Sequence, residues 1–216
     1  MTLASIIELF SGDEVQKILF LDRDGTLIEN TGYLHQPDDV RWKPGVLSTL
    51  KVLQILGWEF VVMTNQSGIA RGKYQVKHMN QVHDKMRNDL LKFDIEVNSW
   101  QYCPHHPDFT GPCSCRKPEV GMILNGLKCM LSQPAQSPSK LKDSKPEDVE
   151  QELRVILRQN EMLCAVVGDH LSDVEAGIRA QMSSFLISES KSPQDRYRAF
   201  ATFGELGQFL IKTYGE

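Results

Sequence analysis

Residues 17 to 27 read KILFLDRDGTL, and the fold class follows from this stretch. Ile18 to Leu21 form a short unbroken apolar run, the pattern of a strand buried on both faces of a parallel sheet, and Asp22 and Gly25 turn the chain at its end. Three further runs repeat the pattern. Glu59 to Met63 leads into Thr64, Asn65 and Gln66; Val97 to Tyr102 leads into a Cys/His cluster; Cys164 to Val167 ends in Gly168 and Asp169. SSFLIS (183–188) reads as a last short strand. Helical spacing lies between the runs: from Pro44 through Leu50 and Leu53 to Gly57, then 76–92, 122–130, 150–159, and 172–180 with Ser172 as its cap. This alternation predicts an α/β fold, a Rossmann-like doubly wound parallel sheet with helices on both faces.

The chain has 216 residues, 41% hydrophobic and 24% charged, which excludes a disordered or collagen-like polymer and favours one domain. Residues 1–16 read as a leader and 17–216 as the domain. The Ser-, Pro-, Lys- and Glu-rich stretch 132–150 reads as a flexible insertion. The net charge of -4 offers no basic footprint for nucleic acid, and no apolar run reaches the roughly 20 residues that span a bilayer. The N-terminus carries no secretory pattern, so a cytoplasmic protein without membrane or nucleic-acid partners, and a monomer, is expected.

Asp22 and Asp24 flank Arg23, and Asp169 and Asp173 follow another strand end. Carboxylates gathered at strand ends repel one another and stay ionised together only beside a cation or strong donors, a need that Mg²⁺ with phosphate oxygens fits. Taken alone, the D-x-D-G at 22–25 could equally be an ordinary turn. Four motifs in order shift that balance: FLDRDGTL (20–27), VVMTNQ (61–66), RKP (116–118) and VVGDHLSD (166–173). Together they resemble the haloacid dehalogenase superfamily of aspartate-dependent phosphatases. The resemblance implies Asp22 as nucleophile, Asp24 as general acid/base, and Thr64, Asn65 and Lys117 around the phosphoryl group. It also implies Mg²⁺ at Asp22, Asp24 and Asp169.

Cys103, His105, Cys113 and Cys115 fall in CPHHPDFTGPCSC, three thiols and an imidazole in a Pro-rich loop, which fits a closed structural Zn²⁺ site. The spacing leaves His105 and His106 equal; the resemblance selects His105. Cys129 and Cys164 lie in apolar contexts and read as core.

Within the superfamily, GYLH (32–35), NQSGIARGKY (65–74) and the zinc loop are similar to the heptose 1,7-bisphosphate phosphatases, members without a separate cap domain. That similarity implies removal of the 7-phosphate of a sugar bisphosphate, as in lipopolysaccharide carbohydrate metabolism. Arg71 and Arg116 would bind the distal phosphate, and Gln66, Ser67 and His35 would be pocket donors. Histidinol-phosphate phosphatases and the 3′-phosphatase domains of polynucleotide kinases share parts of the pattern. A silent binding module and a phosphotransferase are the alternatives of other classes. His170 stands where such phosphatases commonly carry Lys.

Overall fold

The computed structural model describes residues 15–190 and 195–215; the expected leader lies almost wholly outside them. Six strands form one sheet: β1 (Gln16–Leu21), β2 (Trp58–Asn65), β3 (Ser99–Cys103), β4 (Met162–Gly168), β5 (Ser183–Ile187) and β6 (Arg198–Phe200). Their order is β3-β2-β1-β4-β5-β6, and every neighbouring pair is parallel. The winding therefore reverses between β1 and β4, the crevice where sheets of this kind bind ligands.

The helices are α1 (Val46–Ile55), α2 (Val76–Leu91), the single turn α3 (Pro107–Thr110), α4 (Gly121–Met130), α5 (Pro138–Asp143), α6 (Pro146–Gln159), α7 (Leu171–Arg179) and α8 (Phe203–Tyr214). Successive side chains of a strand face opposite ways, and both faces of this sheet are covered. Leu19, Leu21, Phe60, Val62 and Val167 pack against Leu50 and Leu53 of α1, Val82 and Met86 of α2, and Leu206 and Leu210 of α8. Ile18, Phe20, Val61, Met63 and Val166 pack against Leu124 and Leu127 of α4, Leu153 and Ile156 of α6, and Ala176 of α7. Double-sided burial is why the strands read as continuous apolar runs rather than alternating ones.

The described elements add to or differ from the sequence reading at three places. Within the stretch 132–150, residues 138–143 form α5 and 146–150 begin α6. Ser137 caps α5, Leu141 is only 1% exposed, and Asn125 pairs through its amide with both main-chain groups of Gln136. One apolar side chain among many polar ones is enough to seat a short helix, which composition averages away. The cap of α7 is His170, whose ring accepts from Ser172 N at 3.2 Å while Asp173 Oδ2 accepts from His170 N at 3.0 Å. Finally, β6 and α8 follow the strand expected to be last. Their signal was Thr202, which caps α8 by accepting from Glu205 N at 3.1 Å, followed by Phe203, Leu206 and Leu210 at helical spacing.

Candidate active site and metal-binding loop

The carboxyl ends of β1 and β4 stand side by side, because Leu21 pairs with Val167, and the ladder continues through Asp22 N donating to Val167 O at 2.9 Å. Asp22 and Asp169 thus leave adjacent strands into one crevice. Gly25 makes this possible: its φ is +90°, and a side chain there would run into the Asp169 carboxylate. Asp22, Asp169 and Asp173 gather so that one oxygen of each lies within 4.8 Å of the others.

Lys117 reaches into this group from the loop before α4. Its ammonium is ion-paired with Asp22 Oδ1, lies 2.5 Å from Asp173 Oδ1, and donates to Met63 O at 3.1 Å. Lys117 and Asp173 are buried. Burial pushes the Asp22 carboxyl well above the usual carboxylate range, Asp173 and Asp24 push the same way, and Lys117 opposes them. Burial disfavours the Lys117 charge, but Asp173 and Asp22 outweigh it and its net shift is upward. Asp169 is raised too, first by burial and then by Asp173. Three carboxylates facing one ammonium leave negative charge for which a hard divalent cation is the matching partner, so the residues fit Mg²⁺.

The membership of the acidic cluster differs from expectation. Asp24 does not turn its carboxylate toward it. Arg23 grips that carboxylate with Nε and Nη2, each at 3.0 Å, and Thr64 Oγ1 (3.2 Å) and Gln66 Nε2 (3.0 Å) also donate to it. Asp173 takes the third place, with one oxygen on Lys117 and the other on His170 N. Asn65 hydrogen-bonds the main chain of Lys117 through both ends of its amide.

A cavity of about 310 Å³ opens over these groups. Asp22, Asp24, Thr64, Asn65, Lys117, Asp169 and Asp173 line it, and Asn30, Arg116, His170 and Ser172 complete it. Asn30 was missed because a lone Asn in a loop carries no pattern. Among the expected pocket residues, Arg116 lines the cavity; Arg71, Gln66, Ser67 and His35 do not. Arg71 lies against the Cys/His loop, 2.6 Å from His106 Nε2 and 5.0 Å from the Phe109 ring centre. His35 stacks on Tyr74 with 5.8 Å between ring centres. A larger cavity, about 590 Å³, lies at the β5–β6 edge beside Ser183, Arg198 and Phe209, with none of the strand-end carboxylates. Chemistry rather than volume selects the smaller one.

Cys103, His105, Cys113 and Cys115 converge. The sulfurs are 3.2 to 3.6 Å apart, and His105 Nδ1 is 3.2 Å from Cys115 and 3.7 Å from Cys103. Tetrahedral Zn–S bonds of about 2.3 Å give edges near ~3.8 Å, so the donor set fits zinc, and the cysteines are free thiols rather than disulfides. His106 instead caps α3, accepting from Asp108 N at 3.2 Å. The loop is braced from outside by the segment around α5: Ser114 N donates to Leu141 O at 3.2 Å and Ser114 Oγ to Ser144 O at 2.6 Å.

Residues 17–142 match the domain model described as polynucleotide kinase 3 phosphatase. The D-glycero-β-D-manno-heptose-1,7-bisphosphate 7-phosphatase of Haemophilus influenzae is 32% identical over 183 residues, covering 83% of this chain and 85% of that protein. The chain belongs to this phosphatase family of the haloacid dehalogenase superfamily. The family member of Escherichia coli is 31% identical, covering 81% of this chain and 80% of its own length. In structure, the family's D,D-heptose 1,7-bisphosphate phosphatase from B. bronchiseptica, solved with magnesium and phosphate, aligns at a TM-score of 0.68. The identity is 26%, covering 91% of this chain and 98% of that one.

Proposed function

We propose that the chain removes the 7-phosphate of D-glycero-D-manno-heptose 1,7-bisphosphate through an aspartyl-phosphate on Asp22. The observation that carries this reading is the Lys117 ammonium held between Asp22 and Asp173 at the crevice of the sheet. An anionic nucleophile approaching a phosphate monoester is opposed mainly by charge, and a fixed cation at the attacking oxygen lowers that barrier. In the first step an Asp22 oxygen bonds to phosphorus, the bond to the sugar oxygen breaks, and Asp24 gives that oxygen a proton. In the second, water bonds to phosphorus, Asp24 takes its proton, and the Asp22–phosphorus bond breaks to release phosphate.

Asp22 and Asp169 would hold Mg²⁺, with Asp173 beside them; the ion would supply charge neutralisation at the phosphoryl oxygens. Zn²⁺ at Cys103, His105, Cys113 and Cys115 would be structural, since four protein ligands leave no open position. Arg116 and His170 on the cavity wall are the groups available to the second phosphate. Arg71 serves that end indirectly, by holding α3 of the zinc loop.

The matched polynucleotide-phosphatase model supports a second reading, a 3′-phosphorylated nucleic acid. The acidic net charge of -4 weighs against it. The deciding experiment compares Mg²⁺-dependent phosphate release from both heptose bisphosphate anomers, histidinol phosphate, fructose 1,6-bisphosphate and a 3′-phosphorylated oligonucleotide. Preference for a heptose bisphosphate is expected; preference for histidinol phosphate or the oligonucleotide would overturn the assignment.

A further inference from the structure

Gln66 is 3% exposed and Tyr74 is 7% exposed, and neither lines the cavity. Both are nevertheless tied to it by hydrogen bonds that run in one direction. The Tyr74 hydroxyl donates to Gln66 Oε1 at 2.6 Å. That contact sets which way the amide faces, because a flipped Gln66 would turn its oxygen toward the Asp24 carboxylate. In the orientation observed, Gln66 Nε2 donates to Asp24 Oδ2 at 3.0 Å and to Thr64 Oγ1 at 2.7 Å. Thr64, having accepted from Gln66, passes its own proton to Asp24 Oδ2 at 3.2 Å. Arg23 adds two more donors from the other side.

The backbone supports the same arrangement. Gly68 lies under the Tyr74 ring, and a side chain there would strike Tyr74 and Tyr33. His35 covers the outer face of the ring, nearly parallel to it at 4°. Gly68 and His35 thus both pack against the ring, whose hydroxyl meets the buried Gln66.

We infer that Tyr74 and Gln66 are positioning residues that fix the orientation of the Asp24 carboxylate through this chain of hydrogen bonds. The inference rests on the reading of Asp24 as the general acid/base. Each donor of the chain ends on the carboxylate, so removing one loosens its orientation and slows the step in which Asp24 acts. It makes the segment 66–74 part of the catalytic apparatus through Asp24 rather than through substrate.

The test separates the two half-reactions. Tyr74→Phe removes only the hydroxyl and keeps the stack on His35; Gln66→Met removes the amide at similar volume. During turnover of p-nitrophenyl phosphate with Mg²⁺, absorbance follows nitrophenol, and acid quench counts phosphate held covalently on the protein. This aryl leaving group needs little protonation, so the first step stays fast. Both variants are expected to give a nitrophenol burst, an accumulation of covalent phosphate, and a steady state slowed roughly tenfold, the scale of one buried hydrogen bond. Asp24→Asn is expected to do the same more strongly. If Asp24→Asn accumulates covalent phosphate while Tyr74→Phe and Gln66→Met do not, the inference is overturned and the reading of Asp24 stands. If Asp24→Asn itself turns over normally without accumulation, that reading falls and the inference with it.

Discussion

Asn65 holds the main chain of Lys117 with both ends of its side-chain amide: Oδ1 accepts from Lys117 N at 3.1 Å, and Nδ2 donates to Lys117 O at 3.2 Å. The end of β2 thereby fixes a loop residue 52 positions away, and Lys117 then points at Asp22. Asn65→Ala should lower kcat by about tenfold or more through misplacement of the ammonium. In a Lys117→Met background the same change should cost almost nothing further, because both changes act on one interaction. Full additivity in steady-state rates would show that Asn65 acts elsewhere.

Asp22→Asn substitutes a neutral amide for the attacking carboxylate at nearly constant volume. Turnover should fall by about a thousandfold or more. Melting temperature and zinc content, measured on the same preparation, should stay near those of the parent.

Removing zinc with a chelator should loosen residues 103–117 and reduce kcat by about tenfold without eliminating it, since the metal shapes the loop that carries Arg116 and Lys117. Hydrogen exchange would register faster amide exchange in this loop while β1 and β4 stay protected.

The brace behind that loop gives a separate prediction. Leu141 is 1% exposed in the α5 segment, whose main chain accepts from Ser114. Leu141→Ala should destabilise the protein by about 2–4 kcal/mol in urea titrations and weaken zinc retention against a chelator. Unchanged retention would detach the segment from the loop.

His83 provides the pH dependence. It is 3% exposed, its Nε2 has no hydrogen-bond partner among the described residues, and burial, then Arg23 and Arg87, hold its pKa well below 6.5. The folded state therefore keeps the ring neutral where the unfolded chain takes up a proton, below about pH 6.5. The contribution is fully present above that value and is lost as the pH falls toward the folded pKa. His83→Phe should flatten the decline of stability between about pH 7.5 and 5.5, read from urea midpoints.

The parallel sheet, the strand-end acids Asp22 and Asp169, and the three clustered cysteines were legible in local pattern, whereas the choice of His105 over His106 came from the family resemblance. Apolar runs ended by Asp and Gly mark strand ends, and thiols concentrated in a Pro-rich loop mark a metal site. Asn65, Gln66 and Tyr74 were legible only as residue types. The sequence motif suggested substrate contacts for the first two, whereas their amides are occupied by Lys117, Asp24, Thr64 and Tyr74.

What the chain alone determined is therefore which elements form and which acids reach the crevice. Backbone period and turn chemistry are properties of a few neighbouring residues. Only the tertiary structure decided that Asp173 rather than the Asp24 side chain joins Asp22 and Asp169, that Arg71 braces the Cys/His loop, and that 138–143 packs as a helix. Those outcomes depend on which donors meet across separations such as the 95 residues between Lys117 and Asp22. A side chain's partner is set by what the packed elements bring within about 3 Å, which no local pattern records.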